Sequence, residues 1–274
     1  MGKLIWLASY PKSGNTWLRA FLHNYLRRTD ASHDINRLHE LTIGESDAQH
    51  FARHDSRPVA QLRVGDVQRL RPRVHRDFMA AAPTPVFVKT HNASLVVHGV
   101  PLLTPDVTAG AIYIVRDPRD VAVSYAAHLG RSVDQTIAFM ADPEAAIGGD
   151  GKNVYERLAS WSIHVHFWTR RPDPSLLTLR YEDISADPRA AFHDVVRFLG
   201  EDPAPERLEQ AIAFSSFESL RAQECERGFR ERPPALAAFF RSGRSGGWRD
   251  VLTPAQAARI ERDHGREMAR FAYI

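Results

Sequence analysis

Lys12, Ser13, Asn15 and Thr16 crowd around Gly14 in the run Tyr10-Pro11-Lys12-Ser13-Gly14-Asn15-Thr16-Trp17. A cation and several short donors at one bend are what an anionic group requires. Pro11 and Gly14 turn the backbone, and a helix beginning near Gly14 aims its unpaired amides and the positive end of its dipole into the turn. The chemistry predicted here is phosphate binding. It is not the nucleoside-triphosphate loop G-x-x-x-x-G-K-(S/T), because Lys12 precedes the only glycine of the run and nothing else in the chain supplies that spacing. Two further groups have similar character. Lys89-Thr90-His91 follows the apolar run Val86-Phe87-Val88, and Arg116-Asp117 follows Ala111-Ile112-Tyr113-Ile114-Val115. Cations at three strand ends point to a polyanion.

The elements that must position these groups alternate between strand and helix, which predicts an α/β fold with a mostly parallel sheet flanked by helices. Such sheets hold ligands at the carboxyl ends of their strands. Leu4–Ser9, Pro85–His91, Ala111–Arg116 and Leu176–Leu179 read as strands. Asp117 as N-cap and Pro118 in the first turn predict a helix to about His128. Residues 29–85 are polar and predict short helices (Ile35–Ile43, Val64–Leu70, Val74–Ala82) without sheet. Residues 131–153, with Gly148-Gly149-Asp150-Gly151, predict irregular chain. A helix is expected from Val154 to Thr169, with Trp161, Val165 and Trp168 on one face, and another from Pro254 to Phe271 behind a Thr253 cap.

At 274 residues the chain suits one α/β domain with acceptor-side insertions at 29–85 and 131–153. A net charge of +3 without a dense basic run suits an anionic ligand and predicts no nucleic-acid partner. Cys225 is the only cysteine, which excludes an intrachain disulfide and a cysteine-based zinc site. No apolar run long enough to span a membrane follows the first strand, so the expectation is a cytoplasmic protein.

Taken together, the motifs resemble those of the sulfotransferases that use 3′-phosphoadenosine 5′-phosphosulfate (PAPS). The first run resembles their 5′-phosphosulfate loop, Y-P-K-(S/A)-G-(T/N)-(T/N)-W. Arg116-Asp117-Pro118-Arg119-Asp120 with Ser124 resembles their 3′-phosphate segment, R-(D/N)-P-R-D-x-x-x-S. Arg241-Ser242-Gly243-Arg244-Ser245-Gly246-Gly247-Trp248 resembles the closing segment R-K-G-x-x-G-x-W, with Ser242 in place of the usual lysine. These motifs, with Lys-Thr-His, Tyr181-Glu182-Asp183 and Ser215-Ser216-Phe217 between them, cover nearly the whole chain in the family order.

The resemblance implies a sulfuryl transfer from PAPS to a hydroxyl or amine of a small-molecule or natural-product acceptor, releasing 3′-phosphoadenosine 5′-phosphate (PAP). Lys12, Ser13, Gly14, Asn15 and Thr16 would hold the 5′-phosphosulfate. Arg116, Ser124, Arg241, Ser242 and Gly243 would line the 3′-phosphate. Trp17 and Phe217 would sandwich adenine, with Tyr181 and Ser215 at its edge. His91 is the expected base because its intrinsic pKa suits proton removal near neutrality. Lys12 and Lys89 would stabilise charge on the bridging oxygen of the leaving nucleotide. No metal is expected. Arg119 and Asp120 are expected to form an ion pair at the helix start. Of the 13 histidines, His33, His39, His50 and His54 are expected on solvated helix or loop. A kinase-like phosphotransferase and a non-catalytic PAP-binding protein are the alternatives. The acceptor and a homodimer stay open.

Overall fold

The computed structural model describes residues 3–81, 85–234 and 236–274. Its centre is a five-stranded sheet built from β1 (Leu4–Ser9), β2 (Thr42–Gly44), β3 (Val86–Thr90), β6 (Thr108–Val115) and β9 (Leu176–Arg180). The spatial order is β2-β3-β1-β6-β9, and every neighbouring pair is parallel. Side-chain alternation gives the sheet two apolar faces. Leu4, Trp6 and Ala8 of β1 join Ala111, Tyr113 and Val115 of β6 in one layer. Leu7 joins Ile112 and Ile114 in the other. Helices cover both faces: α1 (Asn15–Arg27), α2 (Ala48–Phe51), α3 (Val64–Ala80), α4 (Pro118–Leu129), α5 (Val133–Ala141), α6 (Trp161–Thr169), α7 (Tyr181–Ala186), α8 (Pro188–Phe198), α9 (Pro205–Phe214), α10 (Phe217–Arg227) and α11 (Pro254–Arg270). Two small hairpins, β4 (Val96–Val97) with β5 (Val100–Pro101) and β7 (Ala146–Ile147) with β8 (Glu156–Arg157), complete it. Among the described residues no helix is long and apolar enough to cross a membrane.

The α/β expectation and the four expected strands stand, and four local readings are corrected. Residues 29–85 do contribute sheet, because Thr42-Ile43-Gly44 pairs with Phe87-Val88-Lys89 as an edge strand; the expected helix there is a 3₁₀ turn, Ile35–Glu40. Three residues are too few to show a period. The helices expected at 64–70 and 74–82 are one helix through Pro72; Ala82 lies outside the described residues. Val67, Leu70, Val74 and Phe78 form one buried stripe across the proline, and that burial outweighs a cost of about 3 kcal/mol for interior proline. Residues 131–153 contain α5, whose Ser132 and Gln135 form a reciprocal capping box. The aromatic helix begins at Trp161 rather than Val154, since Glu156 and Arg157 pair with Ala146 and Ile147. Trp161, Val165 and Trp168 are buried as expected.

Candidate active site

β1 ends at Ser9, and the chain turns through Tyr10–Gly14 into α1. Lys12 has φ 68° and Gly14 has φ 110°, so the turn uses left-handed backbone twice. Gly14 cannot be replaced without strain, because a Cβ there would sit 2.8 Å from Tyr181 Cδ2. The Ser13 amide donates to the Tyr10 carbonyl, and the Trp17 and Leu18 amides donate to the Gly14 carbonyl. The amides of Gly14, Asn15 and Thr16 are left at the open, positive end of α1. The Ser13 hydroxyl is buried without a partner among the described residues. The Asn15 side-chain amide, expected to face an anion, instead donates to the Leu7 carbonyl at 2.9 Å. It fastens the loop to β1, and only its backbone N–H is offered to a ligand.

β3 lies beside β1 with Thr90 opposite Ala8, which brings His91 to Ser9. The His91 Nδ1–H donates to the Ser9 carbonyl at 2.8 Å. That bond fixes the tautomer and leaves the lone pair on Nε2. Two more bonds hold the residue: its backbone N–H donates to Glu156 Oε1 (2.9 Å), and its carbonyl accepts from His164 Nε2 (3.1 Å). Tyr113 in turn donates its hydroxyl to His164 Nδ1 at 2.8 Å. Burial, then the nearby Lys89 charge, pushes the His91 pKa well below its usual value. Lys89 lies in β3 two residues before His91, near enough for its charge to act on the imidazole.

Arg116 leaves the end of β6, next to β1 on the other side. Its guanidinium stacks 4.1 Å above the Tyr181 ring and donates to the carbonyls of Lys12 and Arg244, each at 3.1 Å. It therefore joins the donor loop to the segment 239–248. Three other contacts press that segment down. Tyr181 donates its hydroxyl to the Gly243 carbonyl (3.2 Å), and Asp120 accepts from the amides of Gly246 (2.7 Å) and Trp248 (2.9 Å). The Lys12 ammonium sits 3.7 Å above the Phe239 ring. Burial, with the charges of Arg116 and Arg241 close by, lowers the Lys12 pKa to about 7.

Asp117 caps α4 as expected. The expected Arg119–Asp120 pair is corrected: Arg119 bonds Asp117 (2.7 Å), Glu261 (2.6 Å) and the Tyr273 carbonyl (2.7 Å), and its guanidinium lies over Trp248. Asp120 is left to hold the closing segment. Ser124, one turn beyond Asp120, is half-buried on the same helix face. Arg241 and Ser242 are exposed.

Trp17 and Phe217 both pack against the cluster that includes Ala20, Leu220, Phe229 and Phe240, so both aromatics border one apolar cluster. Trp17 meets Tyr181 edge-on at 5.8 Å, and its indole N–H is buried without a partner among the described residues. The two polar groups expected at the adenine edge are engaged elsewhere. The Ser215 hydroxyl, fully buried, donates to the Ala211 carbonyl at 2.8 Å, and the Tyr181 hydroxyl is held by Gly243. Sequence reasoning missed Glu156 and Glu231. Glu231 forms a double hydrogen bond with buried Arg19 (3.0 and 2.7 Å), and neither acid stands in a recognisable motif.

The model of the sulfotransferase domain matches residues 3–272. Rat sulfotransferase 1 family member D1 is 26% identical over 96% of this chain and 83% of its own. Cytosolic sulfotransferase 16 of Arabidopsis thaliana is 29% identical over 93% and 73%. Retinol dehydratase, solved with androsterone and PAP, shares the fold at a TM-score of 0.66, with 21% identity over 97% of this chain and 80% of that one. A match that runs across almost every described residue places the chain in the sulfotransferase domain family.

Proposed function

We propose that this sulfotransferase moves the sulfuryl group of PAPS in line onto a hydroxyl or amine of a small-molecule or natural-product acceptor, with His91 as base. His91 Nε2 takes the acceptor proton, a bond forms from the acceptor oxygen or nitrogen to sulfur, and the bond from sulfur to the bridging oxygen breaks. The electron pair of that broken bond stays on the 5′-phosphate of PAP. The amides of Gly14, Asn15 and Thr16, with Lys12 and Ser13, hold the 5′ end. Arg116, Ser124, Arg241 and the Gly243 amide take the 3′-phosphate, with Ser242 beside them. Trp17 and Phe217 flank adenine, near Tyr181 and Ser215. Lys12 and Lys89 receive the charge that develops on the leaving oxygen.

The observation that carries the reading is the His91 Nδ1–H bond to the Ser9 carbonyl. It presents a neutral imidazole, proton-free at Nε2, directly beside the anion-binding loop. Residues 29–85 and 131–153 contribute the acceptor side. A cytoplasmic location belongs to the same proposal, supported by the relative named a cytosolic sulfotransferase. Calorimetric titration with PAP and, separately, with ATP and Mg²⁺ tests the donor, and transfer of labelled sulfate from PAPS across an acceptor panel tests turnover. Tight PAP binding with weak ATP binding and a sulfated product are expected. Tight ATP binding would instead support phosphoryl transfer, and PAP binding without turnover on any acceptor would support a non-catalytic role.

A further inference from the structure

Away from the loop at residues 10–16, α1 carries His23, which is fully buried and, among the described residues, has no hydrogen-bond partner at either ring nitrogen. A buried polar group without a partner costs about 1–3 kcal/mol. Its neighbour is a second imidazole: His33 lies with its ring centroid 3.7 Å away, tilted by 43°. The His33 backbone N–H donates to Asn24 Oδ1 at 2.8 Å, which holds the chain after α1 against that helix. Glu40 closes the group from the end of the 3₁₀ turn, with its carbonyl accepting from Arg27 and its carboxylate from Arg37. One ligand atom from each of His23, His33 and Glu40 falls within 4.8 Å of the others.

We propose that His23, His33 and Glu40 bind a zinc-like divalent ion through two imidazole nitrogens and one carboxylate oxygen. Two nitrogens and one oxygen, with water in the fourth position, form a donor set suited to tetrahedral zinc. At metal–ligand distances of about 2.1 Å the ligand atoms stand roughly 3.4 Å apart. Rotation of the half-buried His33 and the exposed Glu40 supplies the remaining closure. Each imidazole would ligate through an unprotonated ring nitrogen, and both ring nitrogens of buried His23 are without a partner among the described residues. Arg37 must release the Glu40 carboxylate when the metal arrives.

The ion is structural rather than catalytic. His23 is nine residues beyond Gly14, about 13 Å along the helix from the donor loop. It staples the start of the 29–85 insertion to α1. Within that insertion the chain runs on to β2, where Thr42 accepts from Arg19 (3.0 Å), the residue that also grips Glu231.

The test uses the full, tag-free, metal-stripped chain, titrated with Zn²⁺ by calorimetry and with Co²⁺ by visible absorption. One Zn²⁺ per chain at micromolar affinity or better is expected, with tetrahedral cobalt absorption and a melting temperature raised by saturating Zn²⁺. His33→Ala and Glu40→Gln, both at accessible positions, should each weaken binding at least about tenfold and abolish the thermal shift. His23→Gln should do the same where it folds. Absence of saturable binding in the wild-type chain would overturn the proposal. So would undiminished affinity in His33→Ala, since the ion would then occupy other histidines.

Discussion

A lysine with a pKa near 7 inside an anion-binding loop should take up a proton when the anion arrives. In this structure Lys12 lies over Phe239 and close to Arg116 and Arg241, and its pKa is about 7. At pH 8 about one Lys12 in ten is then protonated, because pH and pKa differ by one unit. A bound nucleotide with two phosphates places negative charge against the ammonium and restores a pKa near the ordinary value of about 10.4. Binding PAP at pH 8 should therefore take up about 0.9 proton, falling to about 0.5 at pH 7. The phosphates of PAP do not contribute at pH 8, since their second ionisation lies near pH 6. His91 and His128 stay neutral there, His128 having a pKa lowered to about 4 by burial. Calorimetry in buffers of different ionisation enthalpy reads the uptake directly. The same linkage makes the PAP dissociation constant rise close to tenfold between pH 8 and pH 9. Lys12→Arg keeps the charge but cannot titrate, so its uptake should fall to near zero. Uptake below about 0.2 proton in the wild type, or the same uptake in Lys12→Arg, would refute the reasoning.

His91→Ala should lower kcat by about 10²–10⁴-fold while PAP affinity stays within twofold, and turnover within threefold of wild type would remove His91 as the base. The base must be neutral and its pKa is depressed, so the wild-type acid limb of kcat/KM should lie below the ordinary histidine value of about 6.5. Arg116→Ala removes charge-assisted bonds worth about 1.5–3 kcal/mol, which predicts PAP weakened by roughly 10- to 150-fold, with adenosine 5′-phosphosulfate weakened less than about threefold. Equal weakening of both ligands, read by competition calorimetry, would reject its assignment to the 3′-phosphate. Gly243→Ala places a Cβ 2.4 Å from the Phe217 ring at φ 62°. Left-handed backbone alone costs about 1–2 kcal/mol, so PAP affinity should drop at least about tenfold, and unchanged affinity would show that the segment does not close on Phe217.

The central strands were legible because a parallel sheet buried on both faces needs continuous apolar runs, and Val86–Val88 and Ala111–Val115 are such runs. The elements that escaped are those whose stability is mainly tertiary. β2 exists because three residues pair with β3. Helix α3 continues through Pro72 because its buried stripe does not stop there. Helix α5 had a local signal in its capping box, but the glycines nearby pointed to loop. At the candidate site, residue type and strand-end position singled out Lys12, His91 and Arg116, and the fold places them after three neighbouring strands. The engagements of Asn15, Ser215 and Asp120 depend on distances between segments far apart in sequence, which no local pattern encodes.

Those engagements bear on how the donor enters. Arg116 now satisfies its guanidinium with the carbonyls of Lys12 and Arg244, and Lys12 satisfies its charge on the Phe239 face. Among the described residues neither cation forms an ion pair with a carboxylate, although Glu231 and Glu224 act on Lys12 from a greater distance. A phosphate oxygen is a stronger acceptor for a guanidinium than a peptide carbonyl, and bidentate geometry adds to the difference. Nucleotide binding is therefore an exchange of weak partners for strong ones rather than the creation of charge pairs from solvated ions. That exchange also gives a reason for serine at position 242. With Arg116, Lys12 and Arg241 already close enough for the two arginines to depress the lysine pKa, another lysine there would deepen the mutual repulsion of the ligand-free state. Binding would then gain less from an added cation than simple counting of phosphate contacts suggests.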